Sequence, residues 1–217
     1  MLTDIGEALR FLGRGRADAA MRAEAVSAAE ALEQAVQPRW VWRVFRLSRP
    51  GDALVLEEPG LPLPGTLAER LLRGCRSAAV LTVTLGARYE ALHRSWQARD
   101  MARAVTLDAC ASALTEAGCA LAEKEIASRF PDLYLTDRFS PGYGDLPLGL
   151  QTALIRAVDA ERRLGVTVTP SDMLLPVKTV TALIGLAETP QPALVRGCAF
   201  CVLRGSCAYR KEGIPCA

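Results

Sequence analysis

Residues 138–147 (RFSPGYGDLP) carry the side chains best suited to chemistry, and we call this segment the Arg138 loop. The guanidinium of Arg138 is a planar fork of donors that suits a carboxylate, and such a charge-assisted contact contributes about 1.5–3 kcal/mol. Pro141 and Gly142 set a turn that exposes backbone amides, and Tyr143 adds a ring and a hydroxyl. The segment predicts either a binding loop for an acid or a structural turn with a surface arginine.

Four cysteines near the C-terminus form a second candidate site: Cys198, Cys201, Cys207 and Cys216. The number of thiols suits tetrahedral zinc or an iron–sulfur cluster, and the Cys-x-x-Cys pair can chelate one ion from a tight turn. The later spacings match no zinc ribbon, which needs a second close pair. The alternative is a set of free thiols near a frayed terminus.

Helices and strands in irregular order must position these groups. The aromatic and β-branched run Arg39–Leu47 and the apolar run Ala78–Leu85 predict strands, and Met101–Arg129 predicts the longest helix. The remaining patterns predict helices over 3–12, 17–36 and 147–164, a short helix ending near 74, and strands over 166–168 and 178–184. Because these elements do not alternate regularly, we expect an α+β fold. Its sheet should be mixed, largely antiparallel and twisted, and packed with several helices, including one long central helix.

Composition argues against several functional classes. A formal net charge of +2, from 26 basic and 24 acidic side chains, predicts no binding to nucleic acid or to a membrane. Residues 1–10 lack the features of a signal peptide, and the apolar run near Ala78–Leu85 is too short to span a bilayer, so we expect a cytoplasmic protein. His93 is the single histidine, which argues against a Ser-His-Asp triad or a histidine-rich zinc site.

Five sequence blocks in the same order resemble the activation domain of cobalamin-dependent methionine synthase, in its stand-alone form. The motif Arg-x-x-Pro-Gly-Tyr in the Arg138 loop is similar to the S-adenosylmethionine-binding motif of that family. The other blocks are Glu7–Gly13 (EALRFLG), Thr82–Glu90 (TVTLGARYE), Leu107–Ala117 (LDACASALTEA) and Asp159–Leu186. The resemblance implies an activation-like domain over 1–190, followed by a cysteine-rich tail over 191–217.

The resemblance also implies a ligand site. Arg138 would hold the methionine carboxylate of S-adenosylmethionine, with contacts from Ser140 and Gly142, and Tyr143 would close over the ligand or the corrin edge. Glu116 would accept the α-ammonium group. That role agrees with its place as the one carboxylate in a helical row of alanines, because an unpaired buried carboxylate is costly. The alternative is that Glu116 is an exposed helix residue.

The implied function is reactivation for methionine biosynthesis. This chain would present the methyl group of S-adenosylmethionine to an oxidised cobalamin and act by positioning, as an accessory component of a methyltransferase. No Asp-x-His-x-x-Gly motif is present, so the cobalamin would be held by a partner, a methionine synthase subunit that lacks its own activation domain. A flavodoxin-like protein would be the reductant.

Two other functions stay open. Stand-alone relatives share a Cys-x-x-Cys…Cys-x-x-Arg tail, which Cys198, Cys201, Cys207 and Arg210 fit. With an iron–sulfur cluster in this tail, the chain would deliver electrons to another corrinoid methyltransferase. With structural zinc alone, it would be a non-catalytic binding module.

Overall fold

The computed structural model describes residues 1–13, 17–51, 53–195, 204–211 and 213. Within these ranges the chain is α+β, as the sequence predicts. The helices are α1 Ile5–Phe11, α2 Ala19–Ala35, α3 Thr66–Leu72, α4 Ala87–Gln97, α5 Met101–Arg129, α6 Leu150–Ala157, α7 Ala160–Leu164 and α8 Ala208–Lys211. The strands are β1 Arg39–Ser48, β2 Val55–Leu56, β3 Leu61–Pro62, β4 Cys75–Thr84, β5 Tyr134–Leu135, β6 Thr167–Val168, β7 Leu174–Leu175 and β8 Thr179–Ala187.

The strands form one large sheet and one small one. The larger has the order β3-β2-β1-β4-β8-β5, and β6 and β7 form an antiparallel pair of their own. β4 is central, and residues 78–84 are buried on both faces, as its largely apolar run predicts. β5 lies at an edge and pairs antiparallel with β8, with Leu135 opposite Leu186.

The chain divides into two compact units, each built from three separate stretches. Unit 1 comprises Met1–Val41, Thr82–Lys124 and Asp159–Val180, and unit 2 comprises Trp42–Leu81, Glu125–Val158 and Thr181–Ala217. The boundary between an activation-like domain over 1–190 and a tail over 191–217 stays a prediction.

Unit 1 has an alanine-rich helical core. Its buried residues come mainly from α1, α2, α4 and α5, and small side chains let these helices approach closely. At Gly118, a Cβ would lie 2.6 Å from Cβ of Pro38 and 3.1 Å from Cγ1 of Val83, so α5 also packs closely on the turn before β1 and on β4. The stripe of Leu107, Cys110 and Leu114 predicted to face inward is fully buried.

The long helix α5 begins and ends where its pattern predicts. The carboxylate of Asp100 accepts hydrogen bonds from the amides of Ala102 and Arg103, which satisfies two donors of the first turn. In the described part of the chain, α5 is the one helix long and apolar enough to cross a membrane, and 56% of its most apolar window is buried in the fold. The core helix of a soluble protein passes the same test, so this observation assigns no span.

One predicted helix is wrong in extent. The segment predicted as a single helix from Pro147 to Leu164 forms two helices, α6 and α7, and α6 begins only at Leu150. The break lies at Asp159, whose φ of 56° is in the left-handed region. A right-handed helix cannot continue through that conformation, so the apolar stripe changes direction there.

Candidate functional site

Arg138 lies in a β-bulge at the edge of the sheet in unit 2. Leu135 pairs with Leu186 and Phe139 pairs with Leu183. Residues 136, 137 and 138 therefore lie between these pairs on one strand, against residues 184 and 185 on the other. The extra residue re-aims the side chains around it, which is how bulges serve binding sites. Arg138 is half-buried.

The bulge is held by hydrogen bonds on both sides. The amide of Thr136 donates to the carbonyl of Gly185 at 3.0 Å, and the Thr136 hydroxyl accepts from the Gly185 amide at 2.8 Å. After the bulge, Phe139 and Leu183 exchange two backbone hydrogen bonds of 3.1 and 2.8 Å. Asp137 and Arg138 thus lie between two fixed backbone points, so the sheet sets the backbone position from which the arginine side chain extends.

Gly185 leaves the space that Thr136 occupies. A Cβ at position 185 would lie 2.5 Å from Sγ of Cys75, 2.7 Å from Cδ2 of Leu72 and 2.8 Å from Cγ2 of Thr136. All three side chains are buried, so none can move away freely. Glycine is required because this bulge packs directly on the start of β4 and the end of α3.

The Arg138 loop closes on itself through backbone hydrogen bonds. The Tyr143 amide donates to the Ser140 carbonyl at 3.0 Å, the Gly142 amide to the Leu146 carbonyl at 2.8 Å, and the Leu146 amide to the Tyr143 carbonyl at 3.0 Å. The turn predicted to expose backbone amides therefore uses those of Gly142 and Tyr143 internally. Side chains are left as the main groups for a ligand, and that of Tyr143 is 49% exposed.

Asp145 fixes the loop to helix α3. Its carboxylate accepts from the Thr66 amide and hydroxyl at 2.6 and 2.8 Å and from the Leu67 amide at 3.0 Å. These hydrogen bonds, first those from the amides of Leu67 and Thr66, lower the pKa of Asp145 to about 2. The approach needs glycine at position 65, where a Cβ would lie 2.7 Å from Oδ1 of Asp145. The loop is thereby held rigidly in unit 2.

The donor set of the loop fits the ligand that the sequence resemblance implies. A half-buried guanidinium suits the carboxylate of an amino-acid head group. The half-exposed ring of Tyr143, in the same loop, offers an apolar face. Gly142 has a φ of 89°, and a Cβ there would lie no closer than 3.5 Å to Leu148, so its backbone conformation, rather than crowding, calls for glycine.

Glu116 lies on α5 in unit 1, and it is half-buried. Its charge acts on Glu7 of α1. Burial raises the pKa of Glu7, Arg10 opposes that rise, and the charge of Glu116 adds to it. The carboxylate of Glu7 forms an ion pair of 2.9 Å with Arg10. Glu116 therefore belongs to a charged group that also involves α1.

A polar cluster in unit 1 was not predicted from the sequence. The Tyr89 hydroxyl donates to Oδ1 of Asp108 at 2.6 Å, and the Lys178 ammonium donates to Oδ2 of Asp108 at 3.0 Å and to Ser112 at 2.8 Å. His93 stacks on Tyr89 with ring centroids 5.5 Å apart. Every group has a structural partner, so the cluster joins α4, α5 and the start of β8.

One of the four predicted metal ligands lies in the described part of the chain. Cys198, Cys201 and Cys216 fall outside the described residues, and Cys207 is a half-buried free thiol. Among the residues that are described, no three acidic, histidine or cysteine side chains are grouped to hold a metal ion. A metal centre in the tail stays a prediction.

Several residues that shape the loop were missed at the sequence level: Thr136, Asp137, Asp145 and Gly185. Asp145 lies in the Arg138 loop and Gly185 lies in the block Asp159–Leu186. Membership of these two segments was the only feature of the sequence that pointed to either residue. Their roles depend on partners far away in the chain.

Comparison with known proteins identifies the fold. No family model matches the sequence, and no curated protein matches it. Among solved structures, the crystal structure of the MetH reactivation domain bound to AdoHcy matches with a TM-score of 0.65 and 18% sequence identity. The match covers 93% of this chain and 74% of that chain. The chain therefore has the activation-domain fold that its ordered sequence blocks predict.

Proposed function

We propose that this chain binds S-adenosylmethionine through the Arg138 loop and serves as a reactivation subunit for a separate cobalamin-dependent methionine synthase. The observation that carries the proposal is the likeness of fold to a reactivation domain bound to AdoHcy, over 93% of this chain. The order of the sequence blocks and the chemistry of the loop point to the same ligand. The proposed location is the cytoplasm.

The residues of this chain would bind and orient the ligand. Arg138 would hold the carboxylate of the methionine moiety, because its backbone is already held by the sheet and needs little further ordering on binding. Tyr143 would cover one side of the ligand and exclude water, and Ser140 and Gly142 would set the shape of the turn. The role that the sequence resemblance implies for Glu116, which lies in unit 1, stays a prediction. When bound, S-adenosylmethionine supplies the sulfonium methyl group.

The proposed partners are those that the sequence resemblance implies. The cobalamin would be held by a methionine synthase subunit without an activation domain, and a flavodoxin-like protein would supply the electron. This chain would contribute alignment and shielding from water, which a rigid loop provides better than a mobile one.

Ligand binding by Arg138 variants tests the proposal. Calorimetric titration with S-adenosylhomocysteine should show binding to the wild type and a loss of about 10- to 100-fold for Arg138→Ala, since a charge-assisted contact contributes about 1.5–3 kcal/mol. Arg138→Lys keeps the charge but not the fork and should lie between them. Arg156→Ala, which removes an exposed arginine from the same unit, is the matched control.

The result that would overturn the proposal is equal affinity of the wild type and Arg138→Ala, or no binding by a folded wild type even with the cobalamin-bearing partner present. The partner role has its own assay. Remethylation of cob(II)alamin on the partner, with S-adenosylmethionine and a flavodoxin, should require the wild-type chain and fail with Arg138→Ala.

A further inference from the structure

The segment that follows β8, residues 188–195, crosses unit 2 without helix or strand, and we call it the strap. Its first residue forms an ion pair of 3.4 Å with Arg76, in which both side chains are exposed (85% for Arg76 and 64% for Glu188). Exposed pairs of this kind contribute little. In the middle, the Gln191 amide group lies so close to Gly74 that a Cβ there would be 2.9 Å from its Nε2.

The far end of the strap is tied to Asp137. Oδ2 of Asp137 accepts hydrogen bonds from the amides of Leu194 at 2.7 Å and Val195 at 2.9 Å. Two donors that converge on one carboxylate oxygen form a charge-assisted contact, which is stronger than one between neutral groups. The strap is therefore fastened more firmly at its end than at its beginning.

Asp137 is held in place by the bulge that holds Arg138. Thr136 before it and Phe139 after it are both bonded to β8, so the carboxylate and the guanidinium stand on adjacent residues of one short, fixed span. A shift of the backbone at either residue must therefore be accommodated within that span. The strap and the Arg138 loop consequently share a single rigid support in unit 2.

We propose that Asp137 is a latch that couples docking of the strap to ligand binding at the Arg138 loop. With the strap docked, Asp137 is immobilised and Arg138 is held in the orientation that receives a carboxylate. A ligand that binds better to this docked state must in turn strengthen docking, because coupling between two sites is reciprocal. The coupling rests on the proposed function, whereas the latch itself does not.

Residue-resolved amide hydrogen exchange at Leu194 and Val195 tests the latch without any ligand. In Asp137→Ala these two amides should exchange about 10- to 100-fold faster than in the wild type, because two charge-assisted hydrogen bonds are lost. Asp137→Asn keeps an acceptor oxygen and should restore part of the protection. Asp132→Ala removes an exposed carboxylate from the same unit and should leave both amides unchanged. Equal exchange in the wild type and Asp137→Ala would overturn the latch.

The same variants titrated with S-adenosylhomocysteine test the coupling. The ligand should slow exchange of both amides in the wild type and leave them unaffected in Asp137→Ala, whose affinity should fall about fivefold or more. If the wild type binds the ligand with no change in exchange, or Asp137→Ala binds as tightly, the coupling is wrong and the proposed function stands. If the wild type does not bind even with the cobalamin-bearing partner present, the proposed function and the coupling both fail, and the ligand-free exchange decides the latch.

Discussion

Replacement of Gly185 by alanine should destabilise the fold by distorting the bulge that carries Arg138. The added methyl group would lie 2.5 Å from Sγ of Cys75, 2.7 Å from Cδ2 of Leu72 and 2.8 Å from Cγ2 of Thr136. Insertion of one methylene into a packed core costs about 1–3 kcal/mol. Because three buried side chains are met at once, we expect about 3 kcal/mol.

Thermal unfolding followed by circular dichroism measures this effect. For a chain of this length, 1 kcal/mol shifts the melting temperature by about 2–4 °C, so Gly185→Ala should melt roughly 6–12 °C below the wild type. Gly74→Ala is the control, since its methyl group would meet chiefly the half-exposed, flexible side chain of Gln191. That variant should stay within about 2 °C of the wild type.

A double variant identifies the cause. Cys75→Ala removes the sulfur that stands closest to the new methyl group, so Gly185→Ala should be less harmful in that background than in the wild type. Affinity for S-adenosylhomocysteine should fall in Gly185→Ala and recover in the double variant. A melting temperature for Gly185→Ala within about 1 °C of the wild type would refute the argument that crowding requires glycine here.

Three further predictions concern the remaining charged and metal-binding groups. Lys178→Met should cost about 1–2 kcal/mol in urea unfolding, less than for a fully buried pair because the Asp108 side chain is 44% exposed; no loss would contradict the ion pair. Asp145→Asn should lower the urea midpoint at pH 7. The pKa of Asp145 is lowered to about 2 in the fold, so its ionised carboxylate stabilises the fold above the pKa of the unfolded chain, and this contribution is lost as the pH falls through about 2. The difference between the variant and the wild type should therefore shrink as the pH falls from about 4 to about 2. Metal analysis of the purified protein should find stoichiometric zinc or iron, and Cys198→Ser and Cys201→Ser should each lower the amount bound. A visible absorption band near 400 nm would indicate an iron–sulfur cluster, which typically absorbs at about that wavelength. A wild type without bound metal would contradict a metal site in the tail.

Much of the fold could be predicted because its main elements have strong local patterns. α5 repeats apolar residues at three- and four-residue spacing, and most of β4 lies in a largely apolar run. The bounds predicted for α5 are correct, whereas β4 begins at Cys75, three residues before the predicted start at Ala78. The two-residue strands β2, β3, β5 and β7 could not be predicted, because strands of that length are defined only by the strands with which they pair.

The break between α6 and α7 shows where periodicity fails. The apolar positions continue smoothly across Asp159, and aspartate is compatible with a helix, so no local signal marks its left-handed conformation. Tertiary packing of Val158 and Ala160, both buried, decides the change of direction there.

Only part of the candidate site could be predicted from the sequence. Arg138 and Tyr143 were found because the motif around them is compact and chemically distinctive. The bulge could not be found, since it is a difference of one residue between two paired strands that are far apart in sequence. The role of Asp137 depends on amides 57 and 58 positions further along the chain, and only a folded structure brings them together.

The way Asp145 caps α3 has a consequence for the order of folding. A helix of seven residues is too short to persist alone in water, and the donors of its first turn are satisfied by a carboxylate 78 and 79 positions away. α3 should therefore become stable only after the chain has been extended through residue 145 and that turn has docked. During synthesis on the ribosome, residues 66–72 would therefore stay without stable helical structure until residue 145 had left the exit tunnel.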